Sequence, residues 1–149
     1  MKSKRLVPDT SVIVEYLDEE SPYIVNIEKL YTDIVRGRVR VYIPLEVLSE
    51  VIYVSTKIYK EAGFENPNRE AMNFINWLLS YPNVSVAPPS LRISILAGEL
   101  RKRMRISLID CYVIATAYTL RATPLFLRLE KEMKPYIEIL VQYNVQFVV

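Results

Sequence analysis

Hydrophobic and polar positions follow two different periods along this chain, and segments of the two kinds alternate. Short apolar runs that end at proline, glycine or polar residues are typical of buried strands. They predict strands at residues 6–8, 39–43, 84–87, 123–127 and 145–149. Longer segments with apolar residues three or four positions apart predict helices. These helices fall at residues 11–17, 22–36, 45–59, 69–80, 91–103, 107–120 and 130–140.

Strands that alternate with helices favour a mostly parallel central sheet with helices on both faces. The predicted fold class is therefore α/β, as a three-layer α/β/α sandwich. No internal repeat, low-complexity tract or linker divides the chain, so we expect one domain over residues 1–149. Pro8 is unusual in a central strand because proline has no backbone N–H to donate. We expect the end of the first strand to be irregular or unpaired at this residue.

The composition narrows the chemistry that the chain can perform. It has no histidine and one cysteine, Cys111. Histidine-based acid–base catalysis, Ser-His-Asp triads and zinc sites built on histidine or several thiolates are therefore excluded. A metal bound here must take oxygen ligands, which favours hard cations such as Mg²⁺ or Mn²⁺. The lone cysteine gives no sign of an oxidising compartment, and no apolar run reaches the roughly 18 residues of a membrane span. We expect a cytoplasmic protein without membrane association.

Two acids stand where a strand ends or a helix begins, which is where open α/β sheets bind ligands. Asp9 follows the first strand and either caps the next helix or binds a metal ion, since Thr10 and Ser11 can cap without it. Asp110 follows Ser107 at the spacing of a capping box. It also opens an apolar helix, where a carboxylate must be paired, capped or bound to a metal.

The spacing of residues excludes two other kinds of site, that of an aspartyl-phosphate phosphatase and a phosphate-binding P-loop. A phosphatase with an aspartyl-phosphate intermediate needs a second acid two residues after Asp9, and that residue is Ser11. A phosphate-binding P-loop needs clustered glycines before a lysine. The three glycines of the chain, Gly37, Gly63 and Gly98, are far apart.

Three acidic segments occur in a recognisable order along the chain. Asp9-Thr10-Ser11 ends the first strand, and IPLEVLSEVIYV, with Glu50, follows the second strand. SLIDCYVIATA opens the apolar helix with Asp110, and the strand TPLFL comes next. Together they resemble the PIN-domain family, which includes the VapC-type toxin ribonucleases, over nearly the whole chain. The resemblance implies a PIN-like fold. Without it, the helical pattern alone would make Glu50 a solvated surface residue.

The resemblance also implies an activity, metal-dependent hydrolysis of phosphodiester bonds in RNA. Asp9, Glu50 and Asp110 would be the catalytic acids and would converge on one Mg²⁺ or Mn²⁺ ion. Thr10 or Ser11 would orient the carboxylate of Asp9. The implied partners are RNA, a small antitoxin protein that fills the active-site groove, and a second copy of the chain in a homodimer.

The chain departs from the family after the fourth predicted strand. Family members usually have Thr-x-Asp there, which supplies a fourth acid, whereas this chain has Leu127-Arg128-Leu129. Glu130 and Glu132 lie just beyond. A glutamate shifted by one position along a strand points to the opposite face, which argues against a substitution by either of them.

A basic run immediately precedes the helix that carries Asp110. It consists of Arg101, Lys102, Arg103 and Arg105, with Met104 between them. Cations at the end of a helix are favourable beside its dipole, so a solvated helix end is one interpretation. The other is a clamp on the phosphate backbone of RNA at the mouth of the acidic site.

Three functional hypotheses follow. The first is a PIN-like endoribonuclease that acts as the toxin of a toxin–antitoxin pair. The second is a degenerate PIN scaffold that binds RNA or protein without cleavage, which the missing Thr-x-Asp motivates. The third is a nuclease directed at DNA, because the same acids suit either nucleic acid.

Overall fold

The computed structural model describes residues 4–149, in which five strands form one sheet in the order β3-β2-β1-β4-β5. The strands are β1 (Lys4–Pro8), β2 (Val39–Pro44), β3 (Val84–Ala87), β4 (Thr123–Phe126) and β5 (Gln146–Phe147). The α-helices are α1 (Thr10–Val14), α2 (Ile24–Val35), α3 (Leu45–Glu61), α4 (Pro67–Leu79), α5 (Leu91–Arg103), α6 (Leu108–Leu120) and α7 (Ile137–Gln142). Two 3-10 helices, Glu15–Leu17 and Lys131–Tyr136, precede α2 and α7.

All neighbouring strands of the sheet pair in parallel, as the alternation of strands and helices predicted. Successive residues of a strand point to opposite faces of the sheet. Leu6, Val7 and Pro8 of β1 are nevertheless all buried, as are Pro124, Leu125 and Phe126 of β4. Both faces are therefore covered by helices, and the predicted three-layer α/β/α fold is confirmed.

The strand order places β1 at a change of direction. From β1 the chain builds β2 and β3 on one side, and it then returns to build β4 and β5 on the other side. In parallel sheets, such a switch point leaves a crevice beyond the carboxyl ends of the two central strands. Here those strands are β1 and β4, and Asp9 is the first residue after β1.

The helix starts follow local capping rules. Asn66 caps α4 by accepting a hydrogen bond from Arg69 N, and Pro67 occupies the first turn, where its missing N–H does no harm. Helix α6 is apolar on all sides, and Cys111 and the residues from Val113 to Ala117 are buried as expected. The buried thiol of Cys111 is free.

Two predicted helices differ in detail from those observed. The segment predicted as one helix over residues 130–140 is a 3-10 helix followed by α7. Pro135 lies inside the first part, where a proline lacks the N–H that an α-helix requires. The helix predicted over residues 11–17 likewise ends as α-helix at Val14 and continues as a 3-10 turn.

The prediction for Pro8 is correct on one side of the strand only. Pro8 remains in β1 and pairs with Leu125 of β4, and the next residue, Asp9, donates its N–H to Leu125 O at 2.9 Å. On the other side, the pairing of β1 with β2 reaches Leu6 opposite Val41. Parallel strands direct successive N–H groups to alternate sides, so the missing donor of Pro8 faces β2, beyond this pairing.

None of the helices within residues 4–149 combines the length and the apolar character needed to cross a bilayer.

Candidate active site

A pocket of about 230 Å³ lies beyond the carboxyl ends of β1 and β4, at the switch point of the sheet. Its walls come from three separate parts of the chain: the start of α1, the start of α6 and the segment after β4. The lining residues are Asp9, Ser11, Asp110, Phe126, Leu127, Arg128, Glu130, Glu132 and Met133. Four of these are acids, and one is a cation.

Asp9 stands at the N-cap position of α1, but its side chain makes no capping hydrogen bond. Its carboxylate instead accepts a hydrogen bond from Ser11 Oγ at 2.8 Å, on Oδ2. Burial raises the pKa of Asp9, the bond from Ser11 opposes that rise, and the negative charge of Glu50 adds to it. Hydrogen bonds from the backbone N–H groups of Thr10 and Ser11 also lower the pKa of Asp9, so this carboxylate meets the start of α1 and also lines the pocket.

Asp110 lies in the first turn of α6, and Ser107 caps that helix. The Asp110 N–H donates to Ser107 Oγ at 3.1 Å, so the cap uses the backbone of Asp110 and leaves its carboxylate in the pocket. Burial raises the pKa of Asp110 to about 7, and the charge of Asp9 is the next largest cause. The charges of Glu50 and Glu132 raise it further, whereas a hydrogen bond with the Ser107 side chain lowers it.

Glu50 is half-buried on α3, the helix that follows β2. It does not line the pocket, although its charge raises the pKa of both Asp9 and Asp110. The structure thus brings two of the three predicted acids into one pocket and leaves the third nearby. In the part of the chain that the structure describes, no group of three or more Asp, Glu or Cys side chains stands close enough together to hold a metal ion.

The segment after β4 supplies two further acids to the pocket, Glu130 and Glu132. The rule that a shifted residue points to the other face of a strand does not apply to them, because β4 ends at Phe126 and the chain then bends. Glu130 Oε1 accepts a hydrogen bond from Arg128 Nε at 2.9 Å. The charge of Glu132 reaches Asp110, whose pKa it raises. Of these two acids, Glu132 is the one whose charge acts on Asp110.

The hydroxyls of Thr10 and Ser11 differ in their hydrogen bonding. Ser11 makes the bond to Asp9, whereas Thr10 is only 4% exposed and its Oγ1 has no hydrogen-bond partner. A buried hydroxyl without a partner is unfavourable, so this group adds no stability through hydrogen bonding.

The basic run lies at the end of α5 and in the loop that leads to α6, and its members Arg101, Lys102, Arg103 and Arg105 are all exposed. Arg101 Nη1 donates to Met104 O at 3.3 Å, and Lys102 pairs with Glu99 at 2.9 Å. Burial raises the pKa of Cys111 to about 11, and the charge of Arg101 opposes that rise. Arg101 is therefore close to the start of α6, where Asp110 lies.

Sequence reasoning missed Arg128 and Met133 as lining residues of the pocket. Arg128 had a usable signal, because it lies just beyond a strand at the edge of the sheet where ligands bind. Met133 had none. Its 2% exposure arises from contacts across the fold that no local pattern announces.

The pocket concentrates carboxylates whose charges oppose one another. Such a set becomes more stable when a cation enters it, and the available donors are oxygen atoms. Mg²⁺ commonly binds proteins through one or two carboxylates while it keeps several water molecules. The oxygen donors of this pocket are of the kind that a hard divalent cation takes.

The comparisons with known proteins agree with this architecture. A family model described as PIN domain matches residues 6–131. No curated protein matches the sequence. VapBC-1 from nontypeable Haemophilus influenzae is similar in structure, with a TM-score of 0.64 and 16% identity over 97% of this chain and 98% of that chain.

Two further solved structures are similar. A toxin–antitoxin complex from Klebsiella pneumoniae has a TM-score of 0.62 and 14% identity, over 97% of this chain and 98% of that chain. VapBC2 from Rickettsia felis, bound to a DNA fragment from its promoter, has a TM-score of 0.60 and 17% identity, over 88% of this chain and 92% of that chain. At these identities the likeness establishes the fold.

Proposed function

Because this chain belongs to the PIN-domain family, we propose that it is a metal-dependent endoribonuclease and the toxin of a toxin–antitoxin pair. One observation carries the proposal. Asp9 and Asp110, from distant parts of the chain, line one pocket, and the charge of Asp9 raises the pKa of Asp110. Carboxylates gathered in this way, with no histidine in the chain, suit hydrolysis assisted by a hard metal ion.

The ion would be Mg²⁺ or Mn²⁺, held by Asp9 and Asp110, with Glu50 near enough to contribute charge. When bound, such an ion activates water and neutralises charge on the scissile phosphate. Ser11 orients the carboxylate of Asp9 through its 2.8 Å hydrogen bond. Ser107 fixes the start of α6, so the carboxylate of Asp110 stays at the pocket without an N-capping role of its own.

RNA would approach from the side of the basic run. Three exposed cations lie at the end of α5 and in the loop before α6: Arg101, Arg103 and Arg105. Lys102, between them, forms an ion pair with Glu99. Cations in this position offset the repulsion between the acidic pocket and the phosphate backbone. Direct contacts to phosphates would give affinity without sequence preference.

The proposed partners follow the family and the similar structures, two of which are named as VapBC assemblies and one as a toxin–antitoxin complex. We propose a small antitoxin and a second copy of this chain as partners, in the cytoplasm. Exposed apolar side chains offer surface for such contacts: Tyr53 on α3 is 70% exposed, and Leu91 and Ile95 on α5 are 78% and 58% exposed. Leu91 and Ile95 lie one turn apart on α5 and so share one side of that helix.

A second function, RNA or protein binding without cleavage, has a specific observation in its favour. Leu127 and Leu129 stand where the family usually has a hydroxyl and a fourth acid. The two functions differ in one measurable outcome, the cleavage of RNA.

The test is cleavage of a labelled single-stranded RNA by the purified chain, free of any partner protein, with Mg²⁺ or Mn²⁺. We expect cleavage, and we expect Asp9→Asn and Asp110→Asn to lower the rate by at least about a hundredfold while the circular dichroism spectrum is unchanged. Asp18→Asn is the matched control, because Asp18 is an exposed loop residue that does not line the pocket.

Three results would go against the proposal. Wild type that cuts no RNA with either metal favours the binding scaffold. Cleavage of single-stranded DNA but not RNA favours a nuclease directed at DNA. Full activity in both Asn variants would mean that the pocket is not the active site.

A further inference from the structure

Among residues 4–149, Arg128 is the one cation that lines the acidic pocket. It lies just after β4, and two neighbours hold its side chain. Its Nε donates to Glu130 Oε1 at 2.9 Å, and its Nη1 donates to the hydroxyl oxygen of Tyr23 at 3.1 Å. The guanidinium carbon lies 6.0 Å from the centre of the Tyr23 ring.

A stabilising role explains this arrangement poorly. The side chains of Arg128 and Glu130 are 52% and 44% exposed, and ion pairs in such positions add little to stability. Many exposed pairs of this kind could form elsewhere on the surface. This one stands at a pocket with four acids, among them Asp9 and Asp110.

The chemistry of the guanidinium suits a phosphate. It carries five N–H donors in a planar fork, of which Glu130 and Tyr23 occupy two. The remaining donors can bind the oxygens of a phosphodiester, which a pocket of carboxylates would otherwise repel. The hydrogen bonds to Glu130 and Tyr23, on separate parts of the chain, favour this orientation of the fork and so lower the conformational entropy lost on binding.

We propose that Arg128 binds a phosphate of the single-stranded RNA substrate at this pocket, and that Glu130 and Tyr23 position its guanidinium. The inference rests on the proposed function for the nature of the substrate. Arg128 and the basic run then bind different phosphates: Arg128 binds one at the pocket, whereas the run contacts the strand outside it.

The experiment measures RNA binding rather than turnover. The parent is Asp110→Asn, which does not cleave, and the probe is a short fluorescein-labelled single-stranded RNA of mixed sequence, titrated at several salt concentrations. Arg128→Gln should weaken binding by roughly tenfold, because a charge-assisted hydrogen bond is lost. The slope of log K against log salt should become shallower by about 0.7, the value of one contact to a single strand.

Further variants separate charge from orientation. Arg128→Lys should restore the salt slope but only part of the affinity, because an ammonium group lacks the planar fork. Tyr23→Phe keeps every charge and the ring, so it should weaken binding a few-fold with an unchanged slope. Arg38→Gln is the matched control: Arg38 also forms an exposed ion pair, with Asp33 at 3.2 Å, and it does not line the pocket.

The results distinguish a failure of the proposed role of Arg128 from a failure of the proposed nuclease activity. The inference is overturned if the parent binds no RNA, if Arg128→Gln leaves affinity and slope unchanged, or if Arg38→Gln has the same effect. If the binding results hold but wild type cuts no RNA, Arg128 keeps its role and the proposed nuclease activity fails. If wild type cuts RNA, and Arg128→Gln changes neither RNA binding nor the cleavage rate, the proposed nuclease activity is supported and the role of Arg128 is refuted.

Discussion

The carboxylates of Asp9 and Asp110 share one pocket, and the charge of Asp9 raises the pKa of Asp110. Burial is the larger cause, and together they bring the pKa of Asp110 to about 7. One acid follows the first strand of the sheet, and the other opens the sixth helix. Their proximity stores unfavourable charge in the folded protein, which a bound cation or a bound proton relieves.

This relationship predicts how stability depends on pH. The pKa of Asp110 is raised from 3.8 in the unfolded chain to about 7, so the folded protein binds the proton more tightly than the unfolded chain does. Stability from this group is therefore complete at low pH and is lost as the pH rises from about 4 to about 7. Asp110→Asn cannot ionise, so at about pH 8 it should be more stable than wild type by on the order of 1–2 kcal/mol, after allowance for partial solvent screening.

Urea denaturation without metal, across that pH range, checks the prediction. The difference between wild type and Asp110→Asn should vanish near about pH 4. Added Mg²⁺ should raise the stability of wild type above about pH 7 and leave the variant unchanged, because ligand binding to the folded state stabilises it. Asp18→Asn, the exposed control, should follow wild type. Parallel stability curves for wild type and Asp110→Asn would contradict the raised pKa.

Removing the hydroxyl of Ser11 and removing that of Thr10 should change different properties: the pH dependence of activity for Ser11, and stability for Thr10. Ser11 donates to Asp9 and lowers its pKa, so Ser11→Ala should raise that pKa and move the acid limb of the activity profile to higher pH. Thr10 Oγ1 is buried without a partner, so Thr10→Val should leave the free energy of unfolding unchanged or raise it by up to about 1 kcal/mol.

Cleavage rates across pH and denaturation curves for both variants test this pair. If Thr10→Val folds normally but loses RNA cleavage, the hydroxyl of Thr10 has a role in the site that the structure does not reveal. An unshifted pH profile in Ser11→Ala would mean that its hydrogen bond does not control the ionisation of Asp9.

The basic run predicts a salt effect that is independent of RNA sequence. Replacing Arg101 and Arg103 with Gln should weaken RNA binding and flatten its salt dependence by about 0.7 for each phosphate contact removed. The control is Arg36→Gln with Arg40→Gln, which removes the same charge from exposed residues outside the pocket. An unchanged slope in the first variant would identify the run as a solvated helix end, favourable only beside the dipole of α5.

Much of this fold could be predicted because its causes are local. The period of apolar residues predicted each strand and helix, and their alternation predicted the parallel sheet. Asp9 and Asp110 could be singled out since each stands beside a strand end or a helix start that short motifs mark. Even the capping of α6 by Ser107 followed from the spacing of Ser107 and Asp110.

What the amino-acid pattern could not determine are relationships between distant segments. That Asp9 and Asp110 share a pocket, that the charge of Glu132 reaches Asp110, and that Arg128 bonds to Tyr23 all depend on how segments far apart in the chain pack together. The sequence by itself determined the elements and nominated the acids, because backbone preferences and burial act over a few residues. Only the tertiary structure decided which of those acids share a pocket and which cation joins them, because charge and desolvation depend on neighbours that folding brings from elsewhere in the chain.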